Sequence, residues 1–428
     1  MSKKNSLDKK SEIYFLDNPD DFFNSLINTI ENTKETLELA YFIIRNDYVS
    51  HVFLGLIYQA AERGVKVRIL SDALGEGVSL SHSMSVLLNQ HKNISVQLYN
   101  KPSWNNLKNI NNRMHLKFLI SDGKKIVSGG RNIGDSFFGR KVKNNNPTYL
   151  DNDIFIYDKK VAGDLINSFD LLWSNPITSY IKKIEKRWWW KENKITNKYL
   201  DKKKKKLFNF IKKGRKQNPE WFRELKFKKI YPKQIEVICD ISHLNKINKT
   251  AASLYDSFSQ AKKSILCQSP YFIPTDDVLK IFKEQSKRNI KIELLTNSII
   301  STENIFAIAA HSELKKEYED LEIKHWEYYN NINLHQKVYI IDEIKTIMGV
   351  FNLDPRSEKL NLELLFFIDS QELSRDIKNN IEKYKKDSCL TSDRQCVLRK
   401  KKKNNLFWGR KIFIIILRKL TPFLKKYF

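Results

Sequence analysis

Cysteine is scarce in this sequence: Cys239, Cys267, Cys389 and Cys396 are the four present, and none forms a Cys-x-x-Cys pair. In a chain of 428 residues that excludes a disulfide-stapled miniprotein, and we expect reduced thiols in a cytosolic compartment. Long apolar runs are missing too. No stretch approaches the ~20 apolar residues of a spanning helix, and Met1 to Lys10 lacks the apolar core of a signal peptide. The expectation is a soluble or peripheral protein. Acidic residues are outnumbered, with 49 Asp plus Glu against 76 Lys plus Arg and a formal charge of +27. Such a surplus suits an anionic partner, although biased Lys, Asn and Ile usage, as in Lys202 to Lys206, accounts for part of it. Charge alone therefore does not choose between nucleic acid and membrane. What is present suffices to fold: 41% hydrophobic and 12% aromatic residues, in a length that favours two compact domains over one core.

Periodicity reveals an α/β rhythm that occurs twice. In the first half Asp20 to Asn32 and Val49 to Arg63 read as helices, with Leu37 to Ile44, Val65 to Leu70 and Ile94 to Tyr99 extended. After residue 234 the rhythm returns, with Gln234 to Cys239, Ser264 to Phe272 and Ile290 to Leu295 extended and Asp276 to Lys287 and Glu303 to Tyr318 helical. An internal repeat explains it most simply. We place a first domain at 8–182, a basic aromatic linker at 183–233, a second domain at 234–388 and a basic amphipathic tail at 389–428. The linker contains Trp188-Trp189-Trp190 and a five-lysine run.

Two matching patterns carry the chemistry, His115-x-Lys117-x4-Asp122-x6-Gly129-Gly130-x-Asn132 and His335-x-Lys337-x4-Asp342-x6-Gly349-Val350-x-Asn352, every equivalent pair 220 residues apart. One His-x-Lys is a common accident; two copies with further positions in register are not. Met114 to Ser121 and Leu334 to Ile341 read as strands, where residues two apart share a face, so the His and Lys of each copy point the same way. Asp122 and Asp342 complete the catalytic motif. At odd spacing from the histidines, they are expected to support the site rather than react. Turn composition at Asp122-Gly123-Lys124-Lys125 predicts a hairpin returning Gly129 and Gly130 beside Lys117 and His115. Gly129, Gly130 and Gly349 would admit a phosphate to the backbone, unless they merely satisfy a bulge. Asn132 and Asn352 would offer amides to the phosphate oxygens.

An acid follows each copy within an apolar run, Asp153 and Glu363, and a carboxylate there needs a partner. We expect Asp153 to orient His115 and Glu363 to orient His335. Two histidines facing one phosphorus define a mechanism: a neutral imidazole attacks, while the other, as imidazolium, protonates the leaving alkoxide. Lys117, Lys337, Asn132 and Asn352 supply charge and donors for the phosphate oxygens, so the reaction calls for no metal and no cofactor.

These residues resemble the phospholipase D superfamily, whose signature is the duplicated His-x-Lys-x4-Asp motif. Gly129 to Asp135, Ser269 to Pro274 and Phe351 to Ser357 are similar to the C-type branch of bacterial cardiolipin synthases. The resemblance implies two similar α/β domains, each a mixed sheet flanked by helices, with one active site at their interface. It further implies a phosphatidyltransferase with phospholipid substrates, phosphatidylglycerol with phosphatidylethanolamine as an alternative second substrate, and His115 as the nucleophile. A hydrolase or nuclease of the same superfamily is the rival reading, although no separate nucleic-acid motif is present. Val350 departs from the serine common in the family. The tail, with Arg399 to Lys403 followed by Phe413, Leu417, Leu420 and Leu424 at helical spacing, predicts an interfacial helix on an anionic membrane, at the cytoplasmic face of a bacterial inner membrane. Packing of Ile412 to Leu417 onto the domains is the alternative.

Overall fold

Along the strand at residues 36–41, Leu37, Leu39 and Tyr41 enter one hydrophobic cluster and Ala40 another, so this strand is buried on both faces. Sheets of that kind need helices on their faces. A computed structural model describes residues 10–75, 80–102, 109–140, 148–180, 195–224, 227–242, 248–302, 304–318, 321–403 and 417. The first half runs β1 (Glu12–Leu16), α1 (Pro19–Asn32), β2 (Thr36–Tyr41), α2 (Tyr48–Glu62), β3 (Lys66–Asp72), α3 (His82–Asn89), β4 (Ile94–Tyr99), β5 (Arg113–Met114), β6 (Lys117–Ser121), β7 (Lys125–Gly129), β8 (Tyr149–Leu150), β9 (Asp153–Tyr157), α4 (Lys159–Trp173), β10 (Thr178–Tyr180) and α5 (Asn197–Gln217). The second runs β11 (Gln234–Cys239), α6 (Lys249–Ser259), β12 (Ser264–Gln268), α7 (Asp276–Lys287), β13 (Lys291–Asn297), α8 (Ile305–Leu314), β14 (Ile323–Tyr328), β15 (Asn333–Leu334), β16 (Val338–Ile341), β17 (Lys345–Gly349), α9 (Pro355–Lys359), β18 (Asn361–Leu362), β19 (Leu364–Asp369), α10 (Gln371–Lys385), β20 (Ser388–Leu390) and α11 (Arg394–Lys403).

Each half builds an eight-stranded mixed sheet, in the orders β1-β9-β7-β6-β2-β3-β4-β10 and β11-β19-β17-β16-β12-β13-β14-β20. The orders correspond position by position, as duplicated α/β domains require. Local signals agree with the element starts: Asp47 caps α2 by accepting from the Ser50 amide, and Asn18 caps α1 with Pro19 at its first turn. A single apolar cluster joins the halves. It combines α4 side chains such as Leu165 and Phe169 and the first-half strand residues Phe118 and Ile154 with Ile340, Phe366 and the α10 residues Leu373 and Ile377.

Four sequence expectations need correction. The strands expected at 114–121 and 334–341 are broken at the histidines, because β5 and β15 pair with the opposite half and only β6 and β16 with their own sheet. The region assigned as linker contains α5, a 21-residue helix that buries Leu200, Leu207 and Ile211 in the first-half core beside Trp221. Spacings of seven and four put those three on one helical face, and the surrounding lysines obscure them in the sequence. Cys389 and Cys396 form a disulfide between β20 and α11, while Cys239 and Cys267 are buried free thiols. β20 also pairs with β14, so the second domain continues past 388. Trp188 to Trp190 and most of the amphipathic tail lie outside the described residues. Leu417, which is described, is buried against Ile308 and Ala309 of α8.

Candidate active site

Each motif histidine stands where its chain changes pairing partner, from a short bridge to the opposite half to its own sheet. Arg113 and Met114 pair in parallel with Asn361 and Leu362, and the His115 amide donates to Leu362 O at 2.9 Å. Asn333 and Leu334 pair likewise with Tyr149 and Leu150, and the His335 amide donates to Leu150 O at 2.8 Å. The backbone hydrogen bonds of these segments are thus satisfied across the interface. Two residues on, Lys117 opens β6 and Lys337 immediately precedes β16, both almost fully buried, and each ammonium donates back to the carbonyl of its histidine. The phenyl ring of Phe42 lies edge-on to His115 at 5.2 Å and 5.6 Å from Lys117 Nζ; Tyr149 packs at 5.3 Å from the His335 ring.

The carboxylates cross over. Glu363 Oε2 lies 3.0 Å from His115 Nδ1, and Asp151 Oδ2 lies 2.9 Å from His335 Nδ1. The expectation that Glu363 orients His335 and Asp153 orients His115 is therefore corrected on both counts. Asp153 is the first residue of β9, beside Gly129, and it is turned to the fully buried Arg131, Nε to Oδ2 at 2.6 Å. Asp151 was missed in the sequence, although a signal was there: Leu150-Asp151 and Leu362-Glu363 are 212 residues apart, each a leucine that receives a histidine amide followed by an acid. Ser357 and Asn361, also missed, fix Glu363 by donating to Oε1 at 2.7 and 3.1 Å.

The glycines serve these acids. A Cβ on Gly129 would land on Asp153, one on Gly130 on Asp151 Oδ1, and one on Gly349 on Leu364 O. The space their missing side chains leave is filled by protein, so the expectation of a phosphate opening there gives way to close packing of the acid-bearing strands. Asn132 is buried, with Oδ1 accepting from the Ile43 amide; Asn352 Oδ1 is buried with no protein partner. Asp122 and Asp342 are remote from the histidines in function. Each sits in the turn after its strand with φ near +50°, at +49° and +55°, and its carboxylate accepts from three consecutive amides, those of residues 34–36 and 262–264. They staple the start of β2 and of β12, as supports rather than reacting groups.

Burial dominates the electrostatics. It pushes His115 well below the usual imidazole range, with Lys117, Lys337 and His335 adding to the effect, so the two motif histidines lie within one another's field. His335 is also lowered, by burial and then Lys337, but Asp151 pulls in the opposite direction. Burial raises Glu363 well above the ordinary carboxyl range against the opposing pull of Lys117. For Asp151 burial is outweighed by His335, Lys337 and Arg131, and its carboxyl is held low. Lys337 is pushed down to about 8 by burial. The pocket thus offers two imidazoles with braced Nδ1 atoms, two buried ammonium groups and two bracing carboxyls that are shifted in opposite directions, Glu363 up and Asp151 down.

Against known proteins, the family model described as "Cardiolipin synthase, PLD-like domain" matches residues 26–173 and 254–385. Among curated proteins, the chain is 28% identical over 411 residues to an uncharacterized protein of Helicobacter pylori strain J99, covering 86% of this chain and 79% of that one. It is 25% identical over 394 residues to cardiolipin synthase C of Escherichia coli K12, covering 83% and 80%. Among solved structures, phosphatidylserine synthase from Haemophilus influenzae Rd KW20 superposes with a TM-score of 0.69 at 13% identity, covering 99% of both chains. That last likeness concerns the fold.

Proposed function

This chain belongs to the cardiolipin synthase, phospholipase D-like domain family, and from that premise we propose that it transfers the phosphatidyl group of one phospholipid to a headgroup hydroxyl of another, forming cardiolipin. The observation that carries the reading is the pair of imidazoles, each braced at Nδ1 by a carboxylate from the opposite half, above two buried ammonium groups. With Nδ1 engaged, Nε2 of each ring is the atom left for chemistry. His115 Nε2 attacks phosphorus; the nitrogen–phosphorus bond forms as the bond to the headgroup oxygen breaks, and His335 gives its proton to the departing alkoxide. His335 then takes the proton of the incoming hydroxyl, which displaces His115. Lys117, Lys337, Asn132 and Asn352 offset the charge on the phosphate oxygens through both steps.

The unequal acids support this order of roles. Asp151 stays ionised and favours an imidazolium at His335, whereas burial makes Glu363 a weaker counter-charge, which suits a neutral nucleophile at His115. Homology to lipid synthases and the net charge of +27 support a working position against anionic membranes. Among the described residues no helix is long and apolar enough to cross a membrane.

The test is incubation of purified protein with vesicles of phosphatidylglycerol, with and without phosphatidylethanolamine, followed by lipid analysis. Cardiolipin is expected; phosphatidic acid alone would make the protein a hydrolase and sink the transferase reading. His335→Ala should accumulate a phosphatidyl adduct on His115, visible by peptide mass spectrometry, and an adduct at position 335 in His115→Ala would reverse the roles.

A further inference from the structure

A second histidine cluster lies in the second half, apart from the motif residues. His311 on α8 faces His325 and Glu327 on β14, which share a strand face at two-residue spacing. One donor atom from each of the three lies within 4.8 Å of the others, and among the described residues no other group of three His, Cys, Asp or Glu side chains does so. Both histidines are 4% exposed. Buried polar atoms are nearly always hydrogen-bonded, yet His311 Nε2, with only the 3.8 Å ion-pair contact to Glu327, and both ring nitrogens of His325 make no hydrogen bond.

The surroundings fix how the cluster is presented. His311 Nδ1 donates to Phe272 O at 2.8 Å, with the Tyr318 hydroxyl 3.4 Å away, and this leaves the Nε2 lone pair directed at the cluster. Bracing one ring nitrogen on a carbonyl is how metal-bound imidazoles are commonly oriented. Glu327 Oε2 accepts from the Tyr329 hydroxyl at 2.6 Å, so Oε1 remains on the histidine side, 3.8 Å from His311 Nε2. The Lys315 ammonium stands 3.4 Å from Oε1 on a partly exposed side chain that can swing out to water.

We propose that His311, His325 and Glu327 bind one divalent transition-metal ion of the Zn²⁺ class at a site separate from the catalytic centre. Two imidazoles and a carboxylate are a borderline-soft donor set of the kind Zn²⁺ takes, with a fourth position for water. Tetrahedral binding at ~2.1 Å puts donor atoms about 3.4 Å apart, so side-chain rotation has to close the widest pair by at most roughly 1.4 Å. The ion ties α8 to β14. Through Phe272, which bridges to Leu353 next to Asn352, it also steadies the loop behind the second motif.

The test uses full-length protein stripped by dialysis against chelator and titrated with Co²⁺ or Zn²⁺ alone. Wild-type protein is expected to bind one ion per chain, to show visible absorption with Co²⁺, and to melt at a higher temperature with Zn²⁺. His325→Gln and Glu327→Gln, at unchanged circular dichroism, should weaken binding by more than about 100-fold, and Tyr329→Phe by about tenfold. Should His325→Gln misfold, Glu327→Gln decides. His335→Gln is expected to keep the ion. Native wild-type protein that takes up no Co²⁺, folded ligand variants with wild-type affinity, or loss of the ion in His335→Gln would each overturn the proposal.

Discussion

A single methyl group at residue 130 has nowhere to go. Because it would land on Asp151 Oδ1, Gly130→Ala must push the carboxylate off His335. Displacement of a catalytic group by about an ångström costs on the order of 100-fold in rate, so kcat should fall by that much with the circular dichroism unchanged. Gly163→Ala, in open space on α4, should leave kcat at the wild-type value. Asp151→Asn keeps a hydrogen-bonding group but removes the anion that favours an imidazolium at His335. We expect kcat to drop about 100-fold or more at little changed KM. The pH at which activity is lost on the alkaline side should also move downward, since the His335 proton is then held less tightly. A wild-type pH profile in this variant would show that Asp151 does not govern that proton.

The histidine and lysine positions were legible because the motif is local and occurs twice. Their acids were not, because each belongs to the other half. Asp153 looks as suitable as Asp151 until Arg131 claims it, and no property of Leu150 to Asp153 read alone says which carboxylate crosses the interface.

Among elements, α5 shows how a charged surface hides a packed face. Ile211 presses so closely on α2 that a side chain larger than Gly55 would collide with it, and His51 of α2 stacks on Phe210 at 4.9 Å, interplanar angle 7°. Burial, then Lys206, lowers His51 to about 4. The folded state therefore takes its proton later than the unfolded chain, whose histidine titrates near ~6.5. This contribution is fully present above that value and is lost as pH falls toward about 4. Protection of the α5 amides, after correction for the fall in intrinsic exchange rate, should drop between pH 7 and pH 5 more in the wild type than in His51→Phe; an equal drop would remove His51 as the cause. The α/β rhythm was visible wherever apolar periodicity outweighed charge, as at Ile94–Tyr99 and Asp276–Lys287. It disappeared in α5 because three buried side chains had to be found among a lysine run, and the Cys389–Cys396 bridge spans a spacing that signals no known motif.

For the whole molecule, the two sheets are stapled in the same way at the same place. Asp122 and Asp342 each have a lowered carboxyl, burial being outweighed by three backbone amides. Groups whose pKa is depressed by folding stabilise above the unfolded carboxylate range, and that stabilisation is lost as pH falls through the folded value. Acid unfolding should thus shift to higher pH in Asp122→Asn or Asp342→Asn, and further in the double variant. Identical acid midpoints in all three would exclude the staples as its origin.

Since neither half holds both members of a histidine–carboxylate pair, the crossed bracing works as an interlock. A hinge opening between the sheets would disarm both imidazoles in one motion, and no partly open form would keep one working half. Reactivity is thereby tied to closure, and a stray phosphodiester meeting an ajar molecule would find no armed nucleophile.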